Sequence, residues 1–114
     1  MVTARSTLSG KGIEGRCPMV GGLKHVVVKA GYESELERMF TELRTEMRKH
    51  EPGCVYYSLL RSRTAPRTYI VEEQYRDHAA WEAHQASDYG KIYFPKIRAI
   101  LESITVEYFD VTVA

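Results

Sequence analysis

Hydrophobic positions along the chain follow two rhythms, and the change between them marks the elements. From Leu23 to Ala30 the sequence contains the β-branched run Val26-Val27-Val28, which predicts a first strand. Gly31 breaks it. Ser34, followed three residues later by Glu37, predicts a capping box that opens a helix. Leu36, Phe40, Leu43 and Met47 then recur at steps of three and four, one stripe of a helix, while Glu35, Arg38, Glu42, Arg44, Glu46 and Arg48 cover the remaining surface. Pro52-Gly53 ends this helix. Cys54 to Ser62 and Thr68 to Tyr75 predict two strands joined as a hairpin, with a turn at Arg63 to Arg67 that contains Pro66. Asp77 is a good N-cap for a short helix running to about Ser87. A second helical piece, Tyr89 to Leu101, carries Ile92, Tyr93, Ile97, Ile100 and Leu101, and Pro95 predicts a kink or restart within it. Ile104 to Val113 is the last predicted strand.

The order is β-α-β-β-α-β. This is the α+β, ferredoxin-like split βαβ arrangement, a four-stranded antiparallel sheet with its helical segments on one side. One-sided helices leave the other face of the sheet bare. Strands two and four nevertheless carry apolar residues on both faces: Tyr56 and Leu60 against Tyr57 and Leu59, and Val106 and Tyr108 against Phe109 and Val111. A second copy of the same sheet is the simplest cover. Hiding ~600–800 Å² of apolar area per chain at ~25 cal/mol per Å² is worth on the order of 15–20 kcal/mol before association costs. A homodimer packed sheet against sheet with two-fold symmetry is therefore expected.

Residues 1–22 follow neither rhythm. Gly10, Gly12, Gly15, Gly21 and Gly22, with several Ser and Thr, predict a flexible arm, leaving 23–114 as the folded domain. Ile13-Glu14-Gly15-Arg16 matches a tetrapeptide engineered into proteins as a protease site. A chain of 114 residues is long enough for one domain and too short for two.

Sixteen Lys+Arg against fifteen Asp+Glu give a net charge of +1, which argues against a dedicated nucleic-acid binder. No apolar run is long enough to span a bilayer, and no apolar signal-peptide core follows the N-terminal basic residues. Cys17 and Cys54 set no disulfide framework. The expected setting is the reducing cytoplasm, with both thiols free. Eight tyrosines against three phenylalanines and one tryptophan are an unusual skew, because each ring brings a hydroxyl that needs a partner.

Three segments resemble the antibiotic biosynthesis monooxygenase (ABM) family. Glu51-Pro52-Gly53-Cys54-Val55-Tyr56-Tyr57 is similar to its helix-to-strand turn. Glu73-Gln74-Tyr75-Arg76-Asp77 is similar to its strand-three signature, and Glu82-Ala83-His84-Gln85-Ala86-Ser87 to its helical signature. The resemblance spans about residues 23–113 and implies a dimeric α+β barrel. It also implies oxygenation of a phenol, anthrone or quinol without metal, haem or flavin, the deprotonated substrate itself reducing molecular oxygen. Two departures stand out. Tyr89-Gly90 occupies the place of a second histidine-aromatic pair in the family. Phe94 falls where haem-degrading relatives carry an axial histidine, and phenylalanine cannot ligate iron.

Two side chains are candidates for proton transfer. His84 lies on the helix after Asp77, shares a face with Trp81, and is expected to be oriented by Asp88 four residues on. Glu73 shares a strand face with Tyr69, Val71 and Tyr75, where a carboxylate must be paired or shifted in pKa, and Arg61 or Arg76 is the expected partner. Trp81, Tyr57, Tyr75, Tyr89 and Phe94 are the candidate walls of a flat aromatic slot. Each of these residues also has a purely structural reading as core, ion pair or dimer seam. His78 and His84 do not share a helix face, and no His-Glu-x-x-His or paired-Cys spacing is present, so no metal site is expected. Gly10-Lys11-Gly12 follows no strand and is no phosphate loop. Cys54 has no histidine neighbour in sequence to activate it as a nucleophile.

The leading expectation is a cofactor-independent monooxygenase of a small aromatic compound, with His84 or Glu73 taking a proton. The alternatives are a non-catalytic ligand-binding or stress-associated dimer, and an isomerase of a small metabolite using the same base.

Overall fold

The computed structural model describes residues 18–114, so the arm's glycines through Gly15, its protease-like tetrapeptide and Cys17 lie outside the described residues. The elements are β1 (Val20–Val28), α1 (Glu33–His50), β2 (Cys54–Arg61), β3 (Thr68–Tyr75), α2 (His78–Gln85), α3 (Asp88–Ala99) and β4 (Leu101–Asp110). The strands form one antiparallel sheet in the order β2-β3-β1-β4. This is the α+β ferredoxin-like arrangement expected from the sequence, with its second helical stretch divided in two.

α1 buries Leu36, Met39, Phe40, Leu43 and Met47 against the sheet, the expected stripe plus Met39. Its start differs from expectation. Tyr32 is the N-cap and no side chain caps the helix, so Ser34 and Glu37 form no capping box. Ser34 already lies inside the helix, and Glu37 accepts instead from the Tyr69 hydroxyl at 2.6 Å. The two later helices are capped by side chains: Asp77 accepts from Ala80 N, and Ser87 accepts from Gly90 N. Ser87 separates them, and Pro95 lies within α3 without ending it.

Two strand boundaries shift toward the N-terminus. β1 begins at Val20 rather than Leu23, because Gly21 and Gly22 pair with Gln74 and Glu73 on one side and with Phe109 and Tyr108 on the other. β4 begins at Leu101 rather than Ile104, since Val28 pairs with Leu101 across a register shift. A second irregularity lies between Cys54 and Tyr56, where β2 holds one residue more than β3 opposes.

The registers assign the faces. Lys24, Val26, Tyr57, Leu59, Tyr69, Val71, Glu73, Ile104, Val106 and Tyr108 point toward the helices. Leu23, Tyr56, Leu60, Ile70, Glu72, Glu107 and Phe109 point away from them. The core has two joined parts. Val26, Val28, Leu36, Met39, Tyr69 and Ile100 fill one end, and Phe40, Leu43, Met47, Tyr57 and Val71 fill the other. β4 is an edge strand that the helices cover poorly, and the site lies beside it. Among the described residues no helix is long and apolar enough to cross a membrane.

Candidate active site beside an aromatic cavity

His84 is buried on the inner face of α2, with no exposed surface. Its orienting partner is Glu51, not Asp88: Nδ1 lies 3.1 Å from Glu51 Oε1 and 3.2 Å from Oε2. Asp88 is exposed at the start of α3. Glu51 caps the C-terminus of α1 just before Pro52-Gly53, so the turn that ends the first helix delivers a carboxylate to side chains of the second and third. Tyr89, half-buried, donates its hydroxyl to Glu51 Oε2, closing a triad with the buried carboxylate and imidazole. Burial and this hydrogen bond to Glu51 push the Tyr89 hydroxyl's pKa above its ordinary value.

An ionised carboxylate only accepts hydrogen bonds, so Nδ1 carries the proton that faces it. In the neutral ring Nε2 is then a lone-pair acceptor. Nε2 is buried and has no hydrogen-bond partner among the described residues. The ring packs against three aromatic neighbours, Phe94 at 5.2 Å, Tyr57 at 5.3 Å and Tyr75 at 5.4 Å between centroids.

Glu73 is also fully buried, and its partners are neither Arg61 nor Arg76. Lys24 Nζ lies 3.1 Å from Oε2 as an ion pair, outside hydrogen-bond alignment, and the Tyr75 hydroxyl donates to Oε1 at 2.6 Å. The register explains the replacement. Lys24 lies on the neighbouring strand and on the same inner face as Glu73, whereas Arg76 has left the strand and approaches Asp77. Arg61 lies at the far end of β2, pairing with Glu37 and resting 5.6 Å from the Tyr69 ring centroid. Burial first, then the Glu73 charge, pushes the Tyr75 pKa far above the ordinary phenol range. Burial also raises that of Tyr57.

A half-open cavity of about 180 Å³ lies between α1, α3 and the β1–β4 side of the sheet. Its aromatic wall is Phe40, Tyr57, Phe94 and Tyr108, with Val26, Leu36, Val71, Ile97, Leu101, Ile104 and Val106 as the aliphatic remainder. Lys24, Gln85 and Arg98 are its polar members. Phe40 and Tyr57 stack nearly parallel at 4.8 Å, which fixes one side of the slot. Of the five aromatic residues expected at the site, Tyr57 and Phe94 line this cavity. Tyr75 and Tyr89 lie behind His84, and Trp81 packs edge-on against Tyr108 at 5.2 Å, its buried Nε1 without a partner among the described residues. His84 itself is not on the wall. It is one ring away, behind Tyr57 and Phe94.

Glu51, Lys24, Tyr108 and Arg98 are the members that sequence reasoning missed. Glu51 stood in plain view in the Glu51-Pro52-Gly53 turn, but nothing in sequence ties it to a histidine 33 positions later. Burial first, then Glu51 and Glu73, pushes the Cys54 thiol up to about 12, which favours its protonated form. Among the described residues no three His, Cys, Asp or Glu side chains gather as a metal site.

The family model described as antibiotic biosynthesis monooxygenase matches residues 19–94. Among solved structures, a protein from Caulobacter crescentus, named as a candidate antibiotic biosynthesis monooxygenase, is 28% identical with a TM-score of 0.80, covering 85% of this chain and 92% of its own. A protein from Shewanella oneidensis is 28% identical with a TM-score of 0.75, covering 82% and 91%. SnoaB, a cofactor-independent oxygenase from Streptomyces nogalater, shares the fold at 20% identity, with a TM-score of 0.75 over 86% of this chain and 97% of its own. No curated protein matches the chain.

Proposed function

Because the chain belongs to the antibiotic biosynthesis monooxygenase family, we propose that it oxygenates a small phenolic or quinol-type aromatic compound in the cavity beside β4, without a bound cofactor. The observation that carries this reading is the pairing of an aromatic-walled cavity with a buried imidazole whose Nε2 is uncommitted. Tyr57 and Phe94 touch both, so one ring separates the base from the space for a substrate. A turn of Phe94 brings a bound ring within reach of Nε2.

His84 accepts the proton that leaves the substrate, and Glu51 stabilises the imidazolium that forms. The substrate anion passes one electron to oxygen, and the resulting superoxide joins the ring radical through a new carbon–oxygen bond. The hydrogen on the oxygenated ring carbon then leaves as a proton, its electron pair forms the carbonyl as the peroxide oxygen–oxygen bond breaks, and that proton together with the one held at His84 converts the departing oxygen to water. One oxygen atom stays on the ring as a carbonyl. All four electrons come from the substrate, so no external reductant is consumed. Glu73 is given no proton-transfer role here, because Lys24 and Tyr75 engage both of its oxygens.

Cavity size favours the phenolic or quinol end of the expected range. A cavity of ~150 Å³ takes benzene, so about 180 Å³ accommodates one ring with a substituent as the walls stand. A three-ring anthrone needs Phe94 and Tyr108 to move.

The proposed assembly is a homodimer through the bare sheet face. Leu23, Tyr56, Leu60 and Phe109 all point outward there and are exposed in the single chain. With two cysteines and no disulfide framework, a cytoplasmic setting is part of the same reading. The test of activity is an oxygen electrode with a panel of phenols, quinols and anthrones. Stoichiometric oxygen uptake with a quinone product, lost in His84→Ala, supports the reading. Ligand binding without oxygen uptake leaves a binding protein, and conversion without oxygen an isomerase.

A further inference from the structure

The charged groups on the cavity wall share one sign. Lys24 and Arg98 line it, and no carboxylate does. Lys24 projects from β1 between Val71 and Val106, at the middle of the inner sheet face, with only 16% of its side chain exposed. Such a position is costly for an ammonium without an anion nearby. Glu73 supplies one from behind at 3.1 Å, yet no hydrogen bond joins them, so the ammonium's three donors are not aligned on that carboxylate. Arg98, an exposed residue of α3, lines the same space and is its second cationic side chain. The remaining polar contributions are Gln85 and the phenol-bearing rings of Tyr57 and Tyr108, and Gln85 is held by Tyr108, its Nε2 donating to that hydroxyl at 3.1 Å.

We propose that the cavity takes a one-ring hydroxyaromatic acid as its anion, with Lys24 Nζ on the anionic oxygen and Arg98 as the second cation. This rests on the oxygenase reading above for the ring's chemistry, but not for its recognition. The volume admits a single substituted ring, the aromatic and aliphatic walls accept its faces, and the two cations select its charge. Glu73 holds Lys24 in place and Tyr75 in turn holds Glu73. The buried pair is therefore a support for the anion site, and Glu73 acts as a positioning residue.

The experiment is a titration of the purified full chain at pH 7, followed by two-dimensional NMR, with 4-hydroxybenzoate and with its neutral isostere 4-hydroxybenzamide. The carboxylate is expected to bind at least tenfold more tightly, with shifts centred on Lys24, Val106 and Phe94. A preference that comes from phenolate formation instead appears with the benzamide as the pH is raised toward the phenol's own ionisation. Equal affinities of the two probes over the whole range overturn the proposal. Lys24→Met is expected to abolish the preference and Lys24→Arg to retain it, and retention in Lys24→Met overturns the assignment to Lys24. If Lys24→Met does not fold, Lys24→Met/Glu73→Gln removes both charges together and is read the same way. Arg98→Met is expected to lower the preference without abolishing it, and an unchanged ratio removes Arg98 from the site. Oxygen uptake is not measured, so failure of the oxygenase reading leaves this outcome intact, and the reverse.

Discussion

Nδ1 of His84 lies 3.1 Å from Glu51 Oε1, joining two buried side chains 33 residues apart. The carboxylate fixes which nitrogen carries the proton, and so makes Nε2 the acceptor. Glu51→Gln keeps the shape but can donate an amide N–H to Nδ1, moving the ring proton to Nε2. Oxygen uptake is expected to fall by ~10²–10⁴-fold, the usual worth of a positioned base. Nitrogen-15 NMR of the histidine ring is expected to report the Nδ1–H tautomer in the parent and the Nε2–H tautomer in the variant. An unchanged tautomer would remove Glu51 from its orienting role. Stability is expected to drop by about 1–3 kcal/mol, because a buried hydrogen-bonding set loses its charged member.

What the sequence showed of this site follows the range of the interactions. The stripe Leu36, Phe40, Leu43 and Met47, the Asp77 cap and the span of β3 depend on neighbours within a few residues, and all are legible as pattern. The Ser34–Glu37 box failed because the helix starts early enough to put Ser34 inside it, and the Glu37 carboxylate instead accepts from Tyr69, 32 residues on. Glu73 was visibly a carboxylate on an apolar face, but choosing Lys24 over Arg61 required the β1–β3 register. The same holds for the cavity. Lys24, Tyr108 and Arg98 come from β1, β4 and α3, and only the packing of α3 beside β4 brings them together.

Gly90 stands where the family resemblance led to an expected aromatic residue, and the structure gives a steric reason for glycine. A Cβ there would lie 2.5 Å from the Phe94 ring and 2.6 Å from Ser87 Oγ. Alanine ordinarily stabilises a helix by ~1 kcal/mol relative to glycine. Here the overlap with the capping serine and a packed ring outweighs that gain, and Gly90→Ala is expected to cost about 1–3 kcal/mol net. The ring's free direction is the cavity, so benzoate-size ligands are expected to bind several-fold more weakly. Urea unfolding and ligand titration check the two effects separately. A stabilised variant with unchanged binding contradicts the steric account.

Cys54 offers a test of the buried electrostatics that needs no substrate. Its thiol is raised to about 12 by burial and by Glu51 and Glu73. The folded state thus favours the protonated thiol, and the thiolate fraction at pH 8 falls more than a thousandfold below that of a free cysteine. A more basic thiolate is intrinsically more nucleophilic, which returns part of that loss. In a Cys17→Ser background, iodoacetamide is expected to alkylate Cys54 about a hundredfold more slowly than free cysteine at pH 8. The rate should still be climbing tenfold per pH unit at pH 10, as mass spectrometry of quenched samples would show. A rate that levels off near pH 9 would mean that the thiol is not buried beside the two carboxylates as the structure places it.

The bare sheet face carries the remaining prediction. Leu23 lies at its middle, in register with Glu72 on one side and Glu107 on the other, and is 43% exposed in the single chain. Leu23→Glu puts three acids in a row. In a monomer the row stays in water and costs only ~0.2–1 kcal/mol per like-charged neighbour. In a sheet-to-sheet dimer the row is buried and meets its two-fold mate, where unpaired charges cost several kcal/mol each. The parent is expected to show the mass of two chains by light scattering, and Leu23→Glu the mass of one with an unchanged far-ultraviolet dichroism spectrum. A parent that runs as a single chain at the highest concentrations overturns the dimer, and a variant that stays paired moves the interface away from this face.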